Sequence, residues 1–390
     1  MTTAHEFITE GDHCPFMPVF APPQVMFVRG QGTELWDVNG KRYLDFLGGL
    51  AVVALGHSHP AVADALNVQA RTLLHVSNLF ANPVATEVAV TIDRLLGGGG
   101  QVFFTNSGAE ANEAAIKLAR KFGGRGRHVV LSTYGSFHGR TLATLAATGQ
   151  PAKHEPFQPI PEGFRHVPFG DLEALVGAID ATVAAVLVEP VQGEGGVVPA
   201  PPGYLRALRA VCDERGVLLM LDEIQTGFGR TGRWFGFEHE GIRPDVVTMA
   251  KAMGNGMPIG ATWARREVAA AFEPGDHGST YSGTAIATAA VRAVISEMER
   301  IDAPACAARA GALLHAALSA MPGVASVRGR GLLIAAELER MNARAAYDQL
   351  LARGLITNAV TPTALRFAPP LNVSDDHIDE AMLIVKEVLA

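Results

Sequence analysis

VLLMLDEIQTGFGRTG, residues 217–232, decides the fold once it is set beside TMAKAMGNGMP, residues 248–258. Val217 to Leu221 is an unbroken apolar run bounded by turn residues, the pattern of a buried strand. It ends on Asp222, where such a strand reaches the mouth of its sheet. The second stretch repeats the arrangement: Val246-Val247-Thr248-Met249 is apolar and β-branched, and it delivers Lys251 just before a Gly-rich break. A carboxylate and an amine, 29 residues apart, are both carried out of a core on strand ends. Pyridoxal-phosphate chemistry needs one of each: a lysine to form the Schiff base, and an acid to pair with the pyridinium nitrogen so that the ring drains charge. Either residue alone reads as an ordinary cap or surface charge. Their shared setting points to chemistry.

The 390 residues exceed one simple core and predict two or three domains. A hydrophobic content of 48% against 18% charged residues describes a well-buried globular chain. The net charge of −7 argues against nucleic acid or an anionic membrane as main partner. Cys14, Cys212 and Cys306 are few, scattered and odd in number, which gives neither a disulfide framework nor a zinc site. The start, MTTAHEFITEGDHC, carries Glu6, Glu10 and Asp12 and lacks a basic or apolar leader, so secretion is not expected. No apolar run reaches the roughly 18–20 residues that span a bilayer. A cytoplasmic protein is the expectation.

From about residue 101 to 262, short β-rich runs alternate with helical ones: QVFFT then AEANEAAIKLARK, HVVLS, AAVLVEP then GYLRALRAVCDERG, VLLML, and DVVTMA. This alternation predicts an α/β domain with a mostly parallel sheet covered on both faces. Before it, ELWDVNGKRYLDF at 34–46 predicts a hairpin turning on Asn39-Gly40, and residues 61–74 predict a helix. After it come an Ala-rich helical stretch, 285–321, a strand in RGLLIAAEL, a helix near 343–353, the run LRFAPPL and a last helix from 375. That tail reads as a small α+β domain.

NSGAEANEAAIKLARK, residues 106–121, reads as a strand-to-helix turn. Ser107, Gly108 and Ala109 place small residues and free N–H groups at a helix N-terminus, the arrangement that receives phosphate; an ordinary capped helix would look the same. GFGRTG, residues 227–232, matches the dinucleotide fingerprint in letters, but RWFGFEHEG is a poor helix start, and the fingerprint requires a helix there. His57 and His59 lack a third ligand at metal spacing and read as structural.

Taken in order, NSGAEANEAAIKLAR, FHGRT, VEPVQGEGG, LDEIQTGFGRTG, MAKAMGNGMPIGA and HGSTYSG resemble the class-III (ω-amino) aminotransferases of the fold-type I pyridoxal-phosphate enzymes. The likeness runs from about residue 18 to the C-terminus. Within that family, GGLAVVALGHSHPAV, VSNLFANP, TGQPAK and RGRGLL look most like the acetylornithine branch. The resemblance implies pyridoxal 5'-phosphate as cofactor, with Lys251 its covalent anchor and proton shuttle, Asp222 on the pyridinium nitrogen, Gln225 on the phenolic oxygen and Phe137 on the ring face. It places Ser107, Gly108 and Ala109 on the phosphate, Glu223 among the cofactor-holding residues, and Thr280 on the phosphate of the partner subunit in a homodimer. Arg140 would receive a substrate carboxylate in bidentate fashion. Ser279 would also meet substrate. Arg366 would be a second carboxylate receptor, and Glu194 its gate.

The resemblance further implies three segments: 1–50 packing with the small domain, 51–285 as the large cofactor-binding domain, and 286–390 as the small C-terminal domain. The activity it implies is transfer of the δ-amino group of N2-acetylornithine to 2-oxoglutarate, a step of arginine biosynthesis. Succinylornithine, N-succinyl-diaminopimelate, ornithine and 4-aminobutyrate are alternative donors. An aminomutase, a decarboxylase and a non-catalytic cofactor-binding protein are alternative classes. Three features depart from the family pattern: Ser282-Gly283-Thr284-Ala285 replaces a Gly-Gly-Asn-Pro type of loop, Phe20 stands where tyrosine is common, and Asn255 interrupts a glycine run.

Overall fold

The computed structural model describes residues 16–389. Cys14, the acidic N-terminal residues and the first part of segment 1–50 lie outside the described residues. The centre is a seven-stranded sheet in the spatial order Gly100–Thr105, Gly260–Arg265, Val246–Met249, Leu218–Asp222, Val183–Val188, Val129–Thr133 and Phe164–Val167. Gly260–Arg265 alone runs against its neighbours; every other pairing among the middle strands is parallel. Val183–Val188 and Leu218–Asp222 are buried at every position, as strands covered by helices on both faces must be. The fold is α/β, as the alternation of runs predicts.

A second, antiparallel sheet holds Val324–Arg330, Leu333–Leu338, Ala364–Phe367 and Asn358–Ala359. A third joins the Asn39-Gly40 hairpin, Glu34–Asp37 with Arg42–Asp45, to Leu355–Ile356 from the far end of the chain. The Ala-rich stretch is two helices rather than one, Ala285–Arg300 and Ala303–Ser319. The break falls at Asp302, whose backbone turns left-handed (φ 49°) and whose side chain caps the second helix, with Pro304 in its first turn. The GFGRTG segment is a run of turns that opens no helix at Gly232, so the dinucleotide pattern is not realised.

Arg230, within that segment, joins two of these layers. It is fully buried, and its Nη1 donates to the carbonyls of Leu332 (3.2 Å) and Pro369, at the edges of the second sheet. The Arg230 carbonyl in turn accepts from Leu332 N–H at 2.9 Å. Burial holds its guanidinium down at about 9 against the distant pull of Asp45.

Candidate active site

The carboxyl ends of the parallel strands open onto a cavity of about 250 Å3, the place where open α/β sheets receive ligands. Asp222 terminates its strand there and Glu189 follows Val188 there. The loop after Val129–Thr133 brings Phe137, His138 and Arg140, and the helix Gly108–Gly123 presents Gly108 and Ala109. Lys251, Gln225 and Glu194 complete the lining. A larger hollow of about 620 Å3 beside the helix Ala303–Ser319 contains Arg233 and Arg330 but none of these groups.

Lys251 begins a one-turn helix, Lys251–Gly254, immediately after the strand Val246–Met249. Its φ of 47° lies in the left-handed region, uncommon for a side chain of this size, and such strain is characteristic of functional positions. Its amine makes no hydrogen bond or ion pair among the described residues. Burial pushes its pKa down, against the attraction of Glu194 and with the repulsion of Arg366. A lowered pKa leaves more free amine, the nucleophilic form.

Asp222 is 3% exposed and held on both oxygens. Oδ2 accepts from Asn112 Nδ2 and from the His138 ring Nδ1, each at 2.8 Å, and Oδ1 accepts from Ile224 N–H at 3.1 Å. Asn112 is fixed in turn, donating to the His138 carbonyl at 2.8 Å and accepting from Thr248 Oγ1 at 2.7 Å. The carboxylate is therefore aimed before any ligand arrives. Asn112, His138 and Glu189 carry site geometry that the sequence reading did not assign. Glu189 had a signal, an acid closing an apolar strand just as Asp222 does; nothing in the spacing marks Asn112.

Ser107 caps the helix by accepting from Glu110 N–H at 3.2 Å, which leaves the Gly108 and Ala109 N–H groups without intrahelical partners. At Gly108 a Cβ would lie 2.7 Å from Ile224 Cδ1, so a side chain there would require Ile224 to shift. Ser279 lies nearby, its hydroxyl receiving Asn106 Nδ2 at 2.9 Å. Thr280 is exposed and is not part of this chain's own cavity lining. Glu223 also stays out of the lining: its carboxyl accepts from Thr226 Oγ1 and from the N–H groups of Gly236 and Phe237 (both 2.9 Å), and burial raises it to about 7. That side chain fastens the following loop instead of facing the cavity.

The two arginines differ. Arg140 is exposed at the mouth, lies over the Phe137 ring at 5.4 Å and makes no hydrogen bond or ion pair among the described residues. Arg366, 1% exposed on Ala364–Phe367, is covered. Its Nη1 reaches Glu194 Oε1 at 2.5 Å, Gln225 Oε1 at 3.2 Å and the Gly193 carbonyl at 3.4 Å, and its Nη2 reaches Asn358 Oδ1 at 2.9 Å. Gln225 Nε2 also donates to Glu194 at 3.2 Å, so Gln225 is engaged with the arginine pair. Burial works against the Glu194 charge, but Arg366, Lys251 and Gln225 outweigh it and hold its pKa below the ordinary range.

The departures from the family pattern are accommodated locally. Asn255 takes the left-handed conformation and its side chain ties Leu55 N–H (2.8 Å) and the Gly56 carbonyl (3.1 Å). Ser282 binds the Phe104 carbonyl, while Asn78 and Asn82 donate to the Ser282 and Gly283 carbonyls, each at 3.1 Å. Phe20 is 87% exposed. His57 pairs with Asp45 at 2.7 Å, and no cluster among the described residues could hold a metal ion. No helix among them is long and apolar enough to cross a membrane.

Comparison with known proteins agrees with this geometry. The family model described as aminotransferase class-III matches residues 18–389. An acetylornithine aminotransferase of Corynebacterium efficiens is 46% identical over 95% of this chain and 94% of its own length, and one of Methanothermobacter thermautotrophicus is 42% identical over 99% of both. Among solved structures, the N-acetylornithine aminotransferase of Stenotrophomonas maltophilia K279a superposes with a TM-score of 0.83 at 36% identity, covering 94% of this chain and 96% of that one. The ornithine aminotransferase of Toxoplasma gondii ME49 superposes with a TM-score of 0.95 at 31% identity, covering 100% of this chain and 95% of that one. The chain belongs to the class-III aminotransferases, a pyridoxal-phosphate-dependent family.

Proposed function

We propose that this protein transfers the δ-amino group of N2-acetylornithine to 2-oxoglutarate, giving N-acetylglutamate 5-semialdehyde and glutamate, within arginine biosynthesis. The observation that carries the reading is the unequal pair of arginines, one open at the mouth and one covered by an acid. A donor with one carboxylate and an uncharged acyl end needs one receptor; a dicarboxylate needs two. Glu194 over Arg366 lets a single cavity serve both without leaving a buried cation bare. The relatives named acetylornithine aminotransferase support this donor over ornithine. Comparing kcat/KM for acetylornithine, succinylornithine, N-succinyl-diaminopimelate, ornithine and 4-aminobutyrate with 2-oxoglutarate tests it: acetylornithine should lead the panel. A different leading donor rejects the assignment.

When bound, pyridoxal 5'-phosphate supplies the carbonyl that takes up the amino group and the ring that drains charge from the reacting carbon. The residues present fit that group. The tight Gly108 turn and the free N–H groups of Gly108 and Ala109 would take the phosphate, Phe137 would flank the ring, and Asp222 would pair with its nitrogen. Lys251, half-buried and without a hydrogen bond or ion pair among the described residues, would be the covalent anchor, and its Nζ would shuttle the proton between substrate carbon and cofactor. Gln225 would leave the arginine pair to meet the phenolic oxygen when Glu194 moves.

We further infer a homodimer in which Thr280 serves the partner subunit's phosphate site, in a chain divided into segments 1–50, 51–285 and 286–390. Leu74, Leu79, Phe80 and Tyr281 are 53%, 86%, 70% and 62% exposed on two segments that hydrogen-bond each other beside Thr280. An apolar patch of this kind is characteristic of an interface.

The two arginines predict separable defects. Arg366→Ala should impair the 2-oxoglutarate half-reaction far more than the donor half-reaction, whereas Arg140→Ala should impair both. One bidentate charge-assisted contact in a desolvated site is worth roughly 2–5 kcal/mol. Single-turnover absorbance changes of the cofactor measure each half by itself. Equal losses in both halves for Arg366→Ala would reject the gate while leaving the transaminase assignment intact.

A further inference from the structure

We propose that Glu189 is a positioning residue that sets how firmly Glu194 covers Arg366, and so how readily the site admits a second carboxylate. This rests on the reading of Glu194 as a gate. Glu189 lines the cavity with 5% of its surface exposed. Its Oε2 accepts from Phe137 N–H at 3.2 Å and its Oε1 from Gly193 N–H at 3.3 Å. These two N–H groups belong to opposite walls of the site. Phe137 carries the ring beneath Arg140. Gly193 turns its own carbonyl to Arg366 Nη1 at 3.4 Å and is followed directly by Glu194. One carboxyl group thus ties the aromatic wall to the base of the gate, and each of its oxygens has one task.

Charge favours the same role. Burial, reinforced by the nearby Asp222 charge and opposed by the two N–H groups, holds the Glu189 carboxyl well above the ordinary carboxylate range. A neutral carboxyl adds no third negative charge beside Asp222 and Glu194, and it retains a carbonyl oxygen and a weaker hydroxyl oxygen as acceptors for the two N–H groups. Glutamine at this position keeps one acceptor and turns an NH2 group against the other N–H, a donor facing a donor. The 193–194 segment then loses its tie to the aromatic wall, and Glu194 holds Arg366 less firmly.

Glutarate tests this, because it has two carboxylates but no amine or keto group and so binds without turnover. Titrated calorimetrically into the cofactor-loaded enzyme, it should bind Glu189→Gln about fivefold more tightly than wild type, the scale of one hydrogen bond lost from the gate. Glu189→Ala, which removes both ties, should shift affinity in the same direction and guards against misfolding of one variant. Added to Glu194→Ala, neither substitution should change the affinity further, since no gate is left to loosen. The donor half-reaction of Glu189→Gln should slow while the 2-oxoglutarate half does not, a split that a general packing defect would not produce. If Glu194→Ala tightens glutarate but Glu189→Gln leaves it at the wild-type value, or acts equally without Glu194, the role of Glu189 is rejected and the gate stands. If Glu194→Ala leaves glutarate unchanged, gate and tie fall together.

Discussion

Lys251→Ala is expected to lower turnover by about 10³-fold or more and to abolish borohydride-dependent covalent attachment of the cofactor. Two functions are lost at once, the nucleophile and the proton carrier, and general acid–base catalysis alone contributes about 10²–10⁴-fold. No neighbour can substitute. The strained backbone at φ 47° directs this side chain into the cavity, and Lys251 is the single lysine among the lining residues. Mass analysis after reduction should find the cofactor on the wild-type chain only. A reducible adduct retained by the variant would assign the anchor to another residue.

Asp222→Asn should cost at least about 10²-fold in kcat, the scale of removing one preorganised electrostatic group. The structure gives two reasons. The negative charge that would face the ring nitrogen disappears. In addition, Oδ2 accepts from both Asn112 and His138, so an amide NH2 placed there meets two donors and the side chain must turn. The loss should therefore exceed what charge neutralisation alone would give. The absorption spectrum of the bound cofactor and pre-steady-state rates read both effects. A near-normal kcat would mean that another residue faces the nitrogen.

The strands that build the site were legible because buried parallel strands leave long apolar runs, and Asp222 and Lys251 stand at the ends of two of them. The break at Asp302 was missed although Asp302 and Pro304 signal a helix start, because the alanine pattern on either side continues without interruption. The pairing of Arg366 with Glu194 spans 172 residues and leaves no trace in any local spacing; only family resemblance pointed to it. Glu223 shows the converse limit. It adjoins Asp222, yet backbone alternation turns successive side chains to opposite sides, and its carboxyl fastens Gly236 and Phe237. Neighbourhood in sequence was a poor guide to neighbourhood in the cavity.

Arg230 limits how the molecule can move. Its buried cation is solvated by the Leu332 and Pro369 carbonyls of the second sheet, with no carboxylate in an ion pair among the described residues. Drawing that sheet away from the segment after Asp222 would strand the guanidinium in apolar surroundings, at a penalty of several kcal/mol. Jaw-like opening between the layers is thereby disfavoured. Under the proposed gate, alternation between a monocarboxylate and a dicarboxylate would fall to one rotamer change at Glu194, whose side chain keeps 30% exposure against 1% for Arg366. On that proposal the enzyme would work as a turnstile in a fixed frame, and its substrate exchange should be insensitive to solvent viscosity.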